Sequence, residues 1–557
     1  MNFVRLLARL GPSASRLLLL GAAASALSSA VVLAIVNKAA EGVAARKHVV
    51  NLWMAALFVV GVLLYAAAES WMVRRIGADI EEAIDGLRMR LLERLRHADL
   101  LKLERFGETP LFESITQSCQ VVSMNSQFVA LSLRSVLLIV AVMVYILTIS
   151  PLAFLVIAVA LAAGAMAYRW LGRSIEQRQA ALAAQESGLF ESVADLFDGF
   201  KEQRLNSARS HDLNLSFGAV SNTIVGARNE VHRHSWQQFV FGESGYNLML
   251  GLVVFVVPTY SSSFDVDVVK VTAACLFMAS SAFGLMQSMA VLAAAETAAG
   301  RMLGLETELA TLAEPGSDGP ALPLAGDFSE IHLVGVEFAF PAPAGEQPFT
   351  VGPFDLTIRR GETIFVTGGN GSGKSTLLKL LTGLYHPQQG RVLADRVEIG
   401  PERLAAYRAL MATVFTDFHL FAHLYGIDLP GNGEAGELLR WMELDHVTAL
   451  HGDRFSRRDL SAGQRKRLAL IAAILERKPI LILDEWAADQ DPQFRLKFYH
   501  EILPELKRRG LTIVAVTHDD HYFDVAERRL HMEEGQLREL PGELPPPRPA
   551  GRKRRAT

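Results

Sequence analysis

Cysteine is almost missing from this chain: Cys119 and Cys275 are the only two in 557 residues, and both lie in or near apolar segments. With no C-x-x-C spacing, that scarcity excludes a disulfide framework and a zinc constellation and leaves the pair as packing residues. Charge is thin as well. Asp, Glu, Lys and Arg make up 20% of the chain and the formal net charge is −4, so no long-range field would gather nucleic acid. The basic run GRKRR at 551–555 is local, and reads as a disordered solvated end or a contact with anionic lipid. Apolar residues are what the chain has in quantity, at 50% of its length, too many for an ordinary soluble enzyme. A membrane is implied.

Apolar stretches of about twenty residues, the length that crosses a bilayer core as helix, run near Leu17–Val36, Leu52–Val73, Phe128–Ile149, Leu152–Trp170, Phe239–Pro258 and Val268–Leu292. The first follows Arg5, Arg9 and Arg16 like a signal peptide, but its apolar run outlasts a signal core and predicts a retained helix. Lys and Arg are dense before the first stretch, between the second and third (Arg74 to Arg105) and between the fourth and fifth (Arg169 to Arg233), which places those regions in the cytoplasm. The two long cytoplasmic connections mix apolar and charged positions at helical spacing, predicting rods that project below the bilayer. A Pro/Gly-rich break, EPGSDGPALPLAG, then divides the chain. The expected organisation is a membrane domain at 1–313, a linker at 314–326, a nucleotide domain at 327–541 and a disordered basic tail at 542–557.

Beyond the break, TIFVT (363–367) leads into GGNGSGKST, Gly368-Gly369-Asn370-Gly371-Ser372-Gly373-Lys374-Ser375-Thr376, and then LLKLLTGL. Strand, glycine loop and helix in that order form a phosphate cradle: bare N–H groups and a helix N-terminus face the phosphates, Lys374 reaches the β and γ oxygens, and Ser375 offers its hydroxyl to Mg²⁺. LSAGQ follows at Leu460–Gln464, then ILILDE ending at Asp484 and Glu485, then His518.

With these motifs in this order, nearly the whole chain resembles one half of an ATP-binding cassette exporter. The resemblance implies an α-helical six-span transmembrane domain followed by an α/β P-loop nucleotide-binding domain, with ATP and Mg²⁺ as cofactors. It further implies that Phe340 stacks on adenine, the other reading being a strand Phe of the core. Asp484 would hold the metal through water, and Glu485 would polarise the attacking water as general base, unless the pair are solvated acids after a strand. Ser461, Gly463 and Gln464 would meet the γ-phosphate of ATP held by a second subunit, at a helix start that favours anions. Asp491 matches the dimer-contact loop, and His518 the switch histidine that touches the γ-phosphate, or else an ordinary strand-end His. One chain cannot close its own site, so a homodimer with two equivalent sites is expected.

One position departs from the pattern. Where such cassettes carry a glutamine, TVFTDFHLF puts Thr416, whose side chain is shorter, with Asp417 beside it. Asp417 is either a substitute metal contact through water or a surface acid. That segment, together with DGFKEQRLN (198–206), DEWAADQDPQFRLKFY (484–499) and VTHDDHYFDVAERRL (516–530), is similar to the bacterial cyclic-peptide and siderophore-peptide exporters, a branch with pyoverdine and syringomycin-type transporters. Trp486, in place of the usual proline after the base, and Gln490 fit that branch better than lipid flippases or multidrug exporters.

The resemblance implies a bacterial inner-membrane protein that exports a cyclic or nonribosomal peptide, a siderophore or its precursor, to the periplasm by alternating access. Membrane lipid is an expected partner, nucleic acid is not, and no residue names a periplasmic partner. The alternatives are an importer or a flippase on the same fold, or an ATP-gated regulator that does not pump, although regulators often tolerate a degenerate base and Glu485 is intact. No cysteine-peptidase domain is seen ahead of the first stretch, so a leader-cleaving exporter is not expected. Coupling helices are expected near Leu103–Phe112 and Ala208–Phe217. Arg134 and Glu243, ionisable residues inside apolar stretches, are expected either to line a substrate cavity or to pair with each other, unless Arg134 snorkels to the headgroups.

Overall fold

Among the described residues, six helices long and apolar enough to cross a bilayer, at Leu19–Ala39, Leu52–Arg96, Glu113–Ile149, Pro151–Gln179, Ser207–Tyr260 and Val268–Thr311, account for the six apolar stretches. The computed structural model describes residues 5–6, 12–44, 52–107, 109–260, 267–316, 322–324, 328–341, 345, 347–429 and 432–540. The basic tail and most of the linker lie outside them. By their internal packing the residues divide into two units, Met1–Glu93 with Glu108–Glu308, and Arg94–Gly107 with Leu309–Thr557.

Long helices build the first unit, α1 (Pro12–Ala44), α2 (Leu52–Arg96), α4 (Ser126–Ile149), α5 (Pro151–Asp198), α6 (Ser207–Gly251) and α7 (Val268–Thr311), whereas the short α3 (Leu100–Phe106) between α2 and α4 belongs to the second. A 45-residue helix such as α2 is about 68 Å long at 1.5 Å per residue, roughly twice the thickness of a hydrocarbon core, so its charged end must leave the bilayer. Between α4 and α5 the chain turns on Ser150, whose hydroxyl accepts the Ala153 N–H at 3.3 Å while Pro151 takes the first helical position. Leu138, Val142, Ile146, Ile157, Met249 and Val253 pack together in the helix core. Large apolar side chains on the outside, such as Leu63 and Phe255, are those a lipid-facing surface presents. Cys119 and Cys275 are buried free thiols, in keeping with packing residues.

The turn between α5 and α6 falls earlier than expected. Gly199 ends α5, Phe200–Leu205 forms a separate short helix, and the Asn206 side chain caps α6 by accepting the N–H groups of Ala208 at 3.1 Å and Arg209 at 3.2 Å. Ala208–Phe217 therefore lies inside α6 and is no separate coupling helix. Asn206 decides this, because its side chain satisfies the orphan donors of a new helix start.

In the second unit, the end of α2 and the end of α7 are stitched together. Asp99 N–H donates to Leu312 O at 2.8 Å and Glu314 N–H to His97 O at 2.8 Å. The Asp99 carboxylate caps α3 by accepting Lys102 N–H at 3.0 Å. Leu100 and Leu101 pack against the cassette core, and the Glu104 carboxylate accepts from Lys379 Nζ at 2.8 Å and Tyr385 OH at 2.6 Å.

The cassette pairs two sheets. An antiparallel one has the order β2-β1-β4-β5, from β1 (Glu330–Ala339), β2 (Thr350–Arg359), β4 (Gln389–Ala394) and β5 (Val397–Glu398). The larger has the order β12-β11-β3-β10-β9-β6, from β3 (Thr363–Gly368), β6 (Met411–Val414), β9 (Ile480–Asp484), β10 (Thr512–Val516), β11 (Arg528–Glu533) and the antiparallel edge β12 (Gln536–Leu540). A separate two-residue pair is β7 (Leu450–His451) with β8 (Arg454–Phe455). Strands β3, β9 and β10 are buried along their whole length, as parallel strands covered on both faces must be. Helices α8 (Lys374–Leu381) and α9 (Ala462–Leu475) belong to the clusters that cover them.

Candidate functional site

Parallel sheets leave their catalytic edge at the carboxyl ends of the strands, and here β3 and β9 are separated only by β10. Beyond β3 the chain must turn sharply into α8. Gly368 sits at φ 148° where a Cβ would collide with Met532 O, so glycine is required, and Gly373 precedes α8 at φ 105°. Gly369, Asn370 and Gly371 form the exposed rim of the loop, while Ser372 and Thr376 are buried. The Lys374 side chain is buried and curls over its own loop, donating to Gly368 O at 3.1 Å and Gly369 O at 2.8 Å.

Ser375 and Asp484 meet across the two strands: Ser375 Oγ donates to Asp484 Oδ2 at 3.0 Å. Burial holds the Asp484 carboxyl above its ordinary pKa, even though the hydrogen bonds from Ser375 and Thr416 act the other way. Its Oδ1 is buried with no hydrogen-bond partner among the described residues, and so is Ser372 Oγ. A buried carboxylate with one free oxygen beside a serine hydroxyl suits a divalent cation, which would satisfy the orphan and supply the missing charge.

Glu485 stands at φ 47°, the left-handed region a non-glycine residue seldom occupies, and that turn directs its carboxylate back over the loop. Glu485 Oε1 is 3.8 Å from Lys374 Nζ and 3.0 Å from His518 Nε2. His518 is itself exposed but its neighbours are tied down. Tyr499 OH bonds Thr517 Oγ1 at 2.7 Å and Asp519 Oδ2 at 2.9 Å, and Arg495 pairs with Asp519 at 3.2 Å.

Thr416, not Asp417, reaches this cluster. Its hydroxyl donates to Asp484 O at 3.2 Å, whereas Asp417 is exposed with no hydrogen bond among the described residues. Phe340 is partly buried in an aromatic group, edge-on to Phe338 at 5.1 Å and stacked with Phe349 at 6.4 Å.

The LSAGQ segment starts α9 with a capping box: Ser461 Oγ accepts Gln464 N–H at 3.3 Å, and Gln464 Oε1 accepts Ser461 N–H at 3.2 Å. Gly463 has a steric reason to lack a side chain, because its Cβ would come within 2.6 Å of Asp489 O. The residues just after it lock α9 to the segment following Glu485. Lys466 Nζ donates to Glu485 O at 2.8 Å and pairs with Asp489 at 2.7 Å, Trp486 Nε1 donates to Lys466 O at 2.8 Å, and Arg467 binds Gln490 Oε1 at 2.8 Å and Asp491 Oδ2 at 2.7 Å. Asp491 also caps the next helix through Phe494 N–H at 2.9 Å; that backbone bond, with Arg467 beside it, holds its pKa below the ordinary value. Lys466 and Arg467 are contributors that motif reading missed; the only signal was RKR directly after LSAGQ.

In the membrane unit, Arg134 and Glu243 do not pair. Arg134 Nη1 lies 3.2 Å from Glu69 Oε1 and its guanidinium covers the Tyr65 ring at 4.9 Å, while Glu69 Oε2 accepts Ser25 Oγ–H at 2.7 Å. Glu243 is exposed.

Residues 351–488 match the family model described as ABC transporter. The chain is 36% identical over 348 residues to the ATP-binding protein SyrD of Pseudomonas syringae pv. syringae, covering 60% of this chain and 61% of that protein, so it spans about three fifths of that relative's length. It is 35% identical over 197 residues to the thiamine import ATP-binding protein ThiQ of Mesorhizobium japonicum, a match covering 34% of this chain and 74% of that protein. A match at 33% identity to the probable syringafactin export ATP-binding/permease protein SyfD of Pseudomonas syringae pv. syringae covers 37% of this chain and 33% of that protein. The structure of a bacterial Atm1-family ABC exporter with ATP bound superposes with a TM-score of 0.75 at 18% identity, covering 95% of this chain and 94% of that one, which establishes the fold.

Proposed function

The chain belongs to the ABC transporter family and carries its ATPase domain, and from that premise we propose that it is one half of a homodimeric exporter driven by ATP hydrolysis. The observation that carries this reading is the meeting of Ser375, Asp484, Glu485 and His518 at the ends of β3, β9 and β10 in a chain with six candidate spans. The cargo is a cyclic, acylated or otherwise nonribosomal peptide, siderophore peptides included. The syringafactin export named for one relative supports that class. Export runs from cytoplasm to periplasm across the inner membrane by alternating access.

ATP with Mg²⁺, when bound, supplies the phosphoryl group whose transfer to water provides the driving force. The N–H groups of Gly369–Thr376 and the start of α8 hold phosphate oxygens, and Lys374 Nζ exchanges its loop carbonyls for them. Ser375 Oγ and Asp484 would hold the metal, which would neutralise phosphate charge there, and Thr416 orients Asp484 where the usual glutamine is missing. Glu485 takes the proton of the attacking water, and His518 holds its carboxylate in place until a phosphate competes for the imidazole. Phe340 stacks on the base. Ser461, Gly463 and Gln464 present their helix start to the partner's nucleotide, and Asp491 lies in the contact between the two cassettes. The membrane domain is taken to end near 313 and the nucleotide domain to begin near 327.

The test is ATP-dependent flux in proteoliposomes with the cassettes outward. A fluorescent acylated peptide should accumulate in the lumen with wild type and not with Glu485→Gln. Hydrolysis without accumulation of any peptide would remove the export reading and favour a non-pumping regulator.

A further inference from the structure

A cavity of about 420 Å³ lies within the membrane unit between α5, α6 and α7, and its wall combines two arginines, Arg169 and Arg173, with Tyr168, Phe239, Met286 and Met289. That volume falls within the range of ligand pockets, and the mixture of charge and soft apolar surface is unusual for a mere packing gap. Its walls are tied together. Tyr168 OH on α5 donates to Met286 O on α7 at 3.2 Å, and Gln238 Nε2 on α6 donates to Tyr168 O at 2.9 Å. Two glycines permit this closeness: a Cβ on Gly172 would come within 3.0 Å of Gln238 Nε2, and one on Gly242 would collide with the Met286 terminal methyl.

Among the described residues nothing compensates the charge at this cavity. Farther along the rods, Arg178 and Arg233 pair with Glu230, and Arg228 with Glu186. Arg169 and Arg173 have no ion pair or hydrogen bond among the described residues. Arg169 lies eighteen residues beyond Pro151, which begins α5, about 27 Å along the helix, and Arg173 about 33 Å, so against a core of about 30 Å both stand at the inner-leaflet boundary. Cationic side chains at such a depth seek an anion, and basic pockets between spans on the cytoplasmic side take acidic headgroups.

We propose that this cavity binds an anionic amphiphile, its carboxylate or phosphate held by Arg169 and Arg173 and its apolar part laid against Phe239, Met286 and Met289. The chemistry is shared by an acylated peptide with a free carboxylate and by an acidic phospholipid. If the ligand is the peptide, the cavity is where cargo is taken from the inner leaflet, a step that rests on the export reading above.

Binding is measured on the full-length protein in phosphatidylcholine nanodiscs, with a fluorescent N-myristoyl peptide bearing a free C-terminal carboxylate and with its C-terminal amide. Wild type should bind the carboxylate at least tenfold more tightly than the amide, Arg169→Gln with Arg173→Gln should erase that preference, and Phe239→Ala should weaken both probes. Arg178→Gln, outside the cavity, should bind as wild type. Adding phosphatidylglycerol identifies the source: full, arginine-dependent displacement of the probe assigns the cavity to lipid, and retention of the probe assigns it to the acylated peptide. Melting temperatures within about two degrees of wild type certify that the variants are folded. Equal binding of carboxylate and amide by wild type, or a preference that survives the double arginine variant, would overturn the proposal. Because binding is read without ATP, a protein that binds the probe yet moves none in proteoliposomes refutes the export reading alone.

Discussion

Polar groups are held differently in the two units. In the cassette each site residue is fixed from several directions: Asp484 by Ser375 and Thr416, Glu485 by His518, Lys374 and the Lys466 bond to its carbonyl, and Asp491 by Arg467 and the Phe494 N–H. Inside the spans of the membrane unit the described polar side chains are held by fewer bonds, as in the Ser25–Glu69–Arg134 chain or the bond from Tyr246 OH to Cys275 O. Water competes for polar groups around the cassette, so holding a reactive carboxylate in a strained backbone requires surrounding bonds that over-determine it. Lipid offers no such competition, and a single ion pair is enough to keep a charge inside a span.

If the cassette network is catalytic and not only structural, Glu485→Gln should lower ATP hydrolysis by about 100-fold or more while leaving nucleotide binding within about twofold, read by phosphate release and by binding of a fluorescent ATP analogue. Retained turnover would reduce the Glu485–His518 pair to a structural contact. The next effect probes over-determination itself. Arg467→Ala removes bonds to Gln490 and Asp491 together, and should destabilise the cassette by about 2–3 kcal/mol in urea unfolding, whereas Arg134→Gln in the membrane unit should change thermal stability much less. Equal effects would erase the contrast between the units.

A pH titration sharpens it further. His386 and Arg408 hydrogen-bond the Glu314 carboxylate, outweigh its partial burial and draw its pKa from 4.5 down to about 2. Since the folded state binds that proton more weakly than the unfolded one, the stabilisation is complete above the unfolded pKa and disappears as pH falls from about 4.5 toward about 2. Glu314→Gln should therefore flatten the acid limb of cassette stability in that window and leave the neutral region parallel to wild type. The smallest effect concerns the departure from the usual glutamine. Thr416→Val should raise the Mg²⁺ concentration for half-maximal hydrolysis several-fold, and Asp417→Asn should leave it unchanged; the reverse pattern would restore Asp417 as a metal contact.

Residue order and hydropathy alone determined the six apolar spans, the two long helical connections and the strand–loop–helix around Lys374, because each rests on local signals: run length, apolar spacing, and glycines that bare backbone amides. Ser375, Asp484, Glu485 and His518 were also legible, since they terminate or follow buried strands in a fixed order. Tertiary structure alone decided their partners. Asp417 and Thr416 are neighbours in the chain, and only the pairing of β6 with β9 shows that Thr416 is the one facing Asp484. Arg134 has Glu69 as its partner and not Glu243, because the rotation of α2 against α4 is set by side-chain packing that hydropathy does not encode. For the same reason Arg169 and Arg173, two cations among many at a helix end, become a candidate site only when α5, α6 and α7 close a cavity beside them, with no ion pair to either among the described residues.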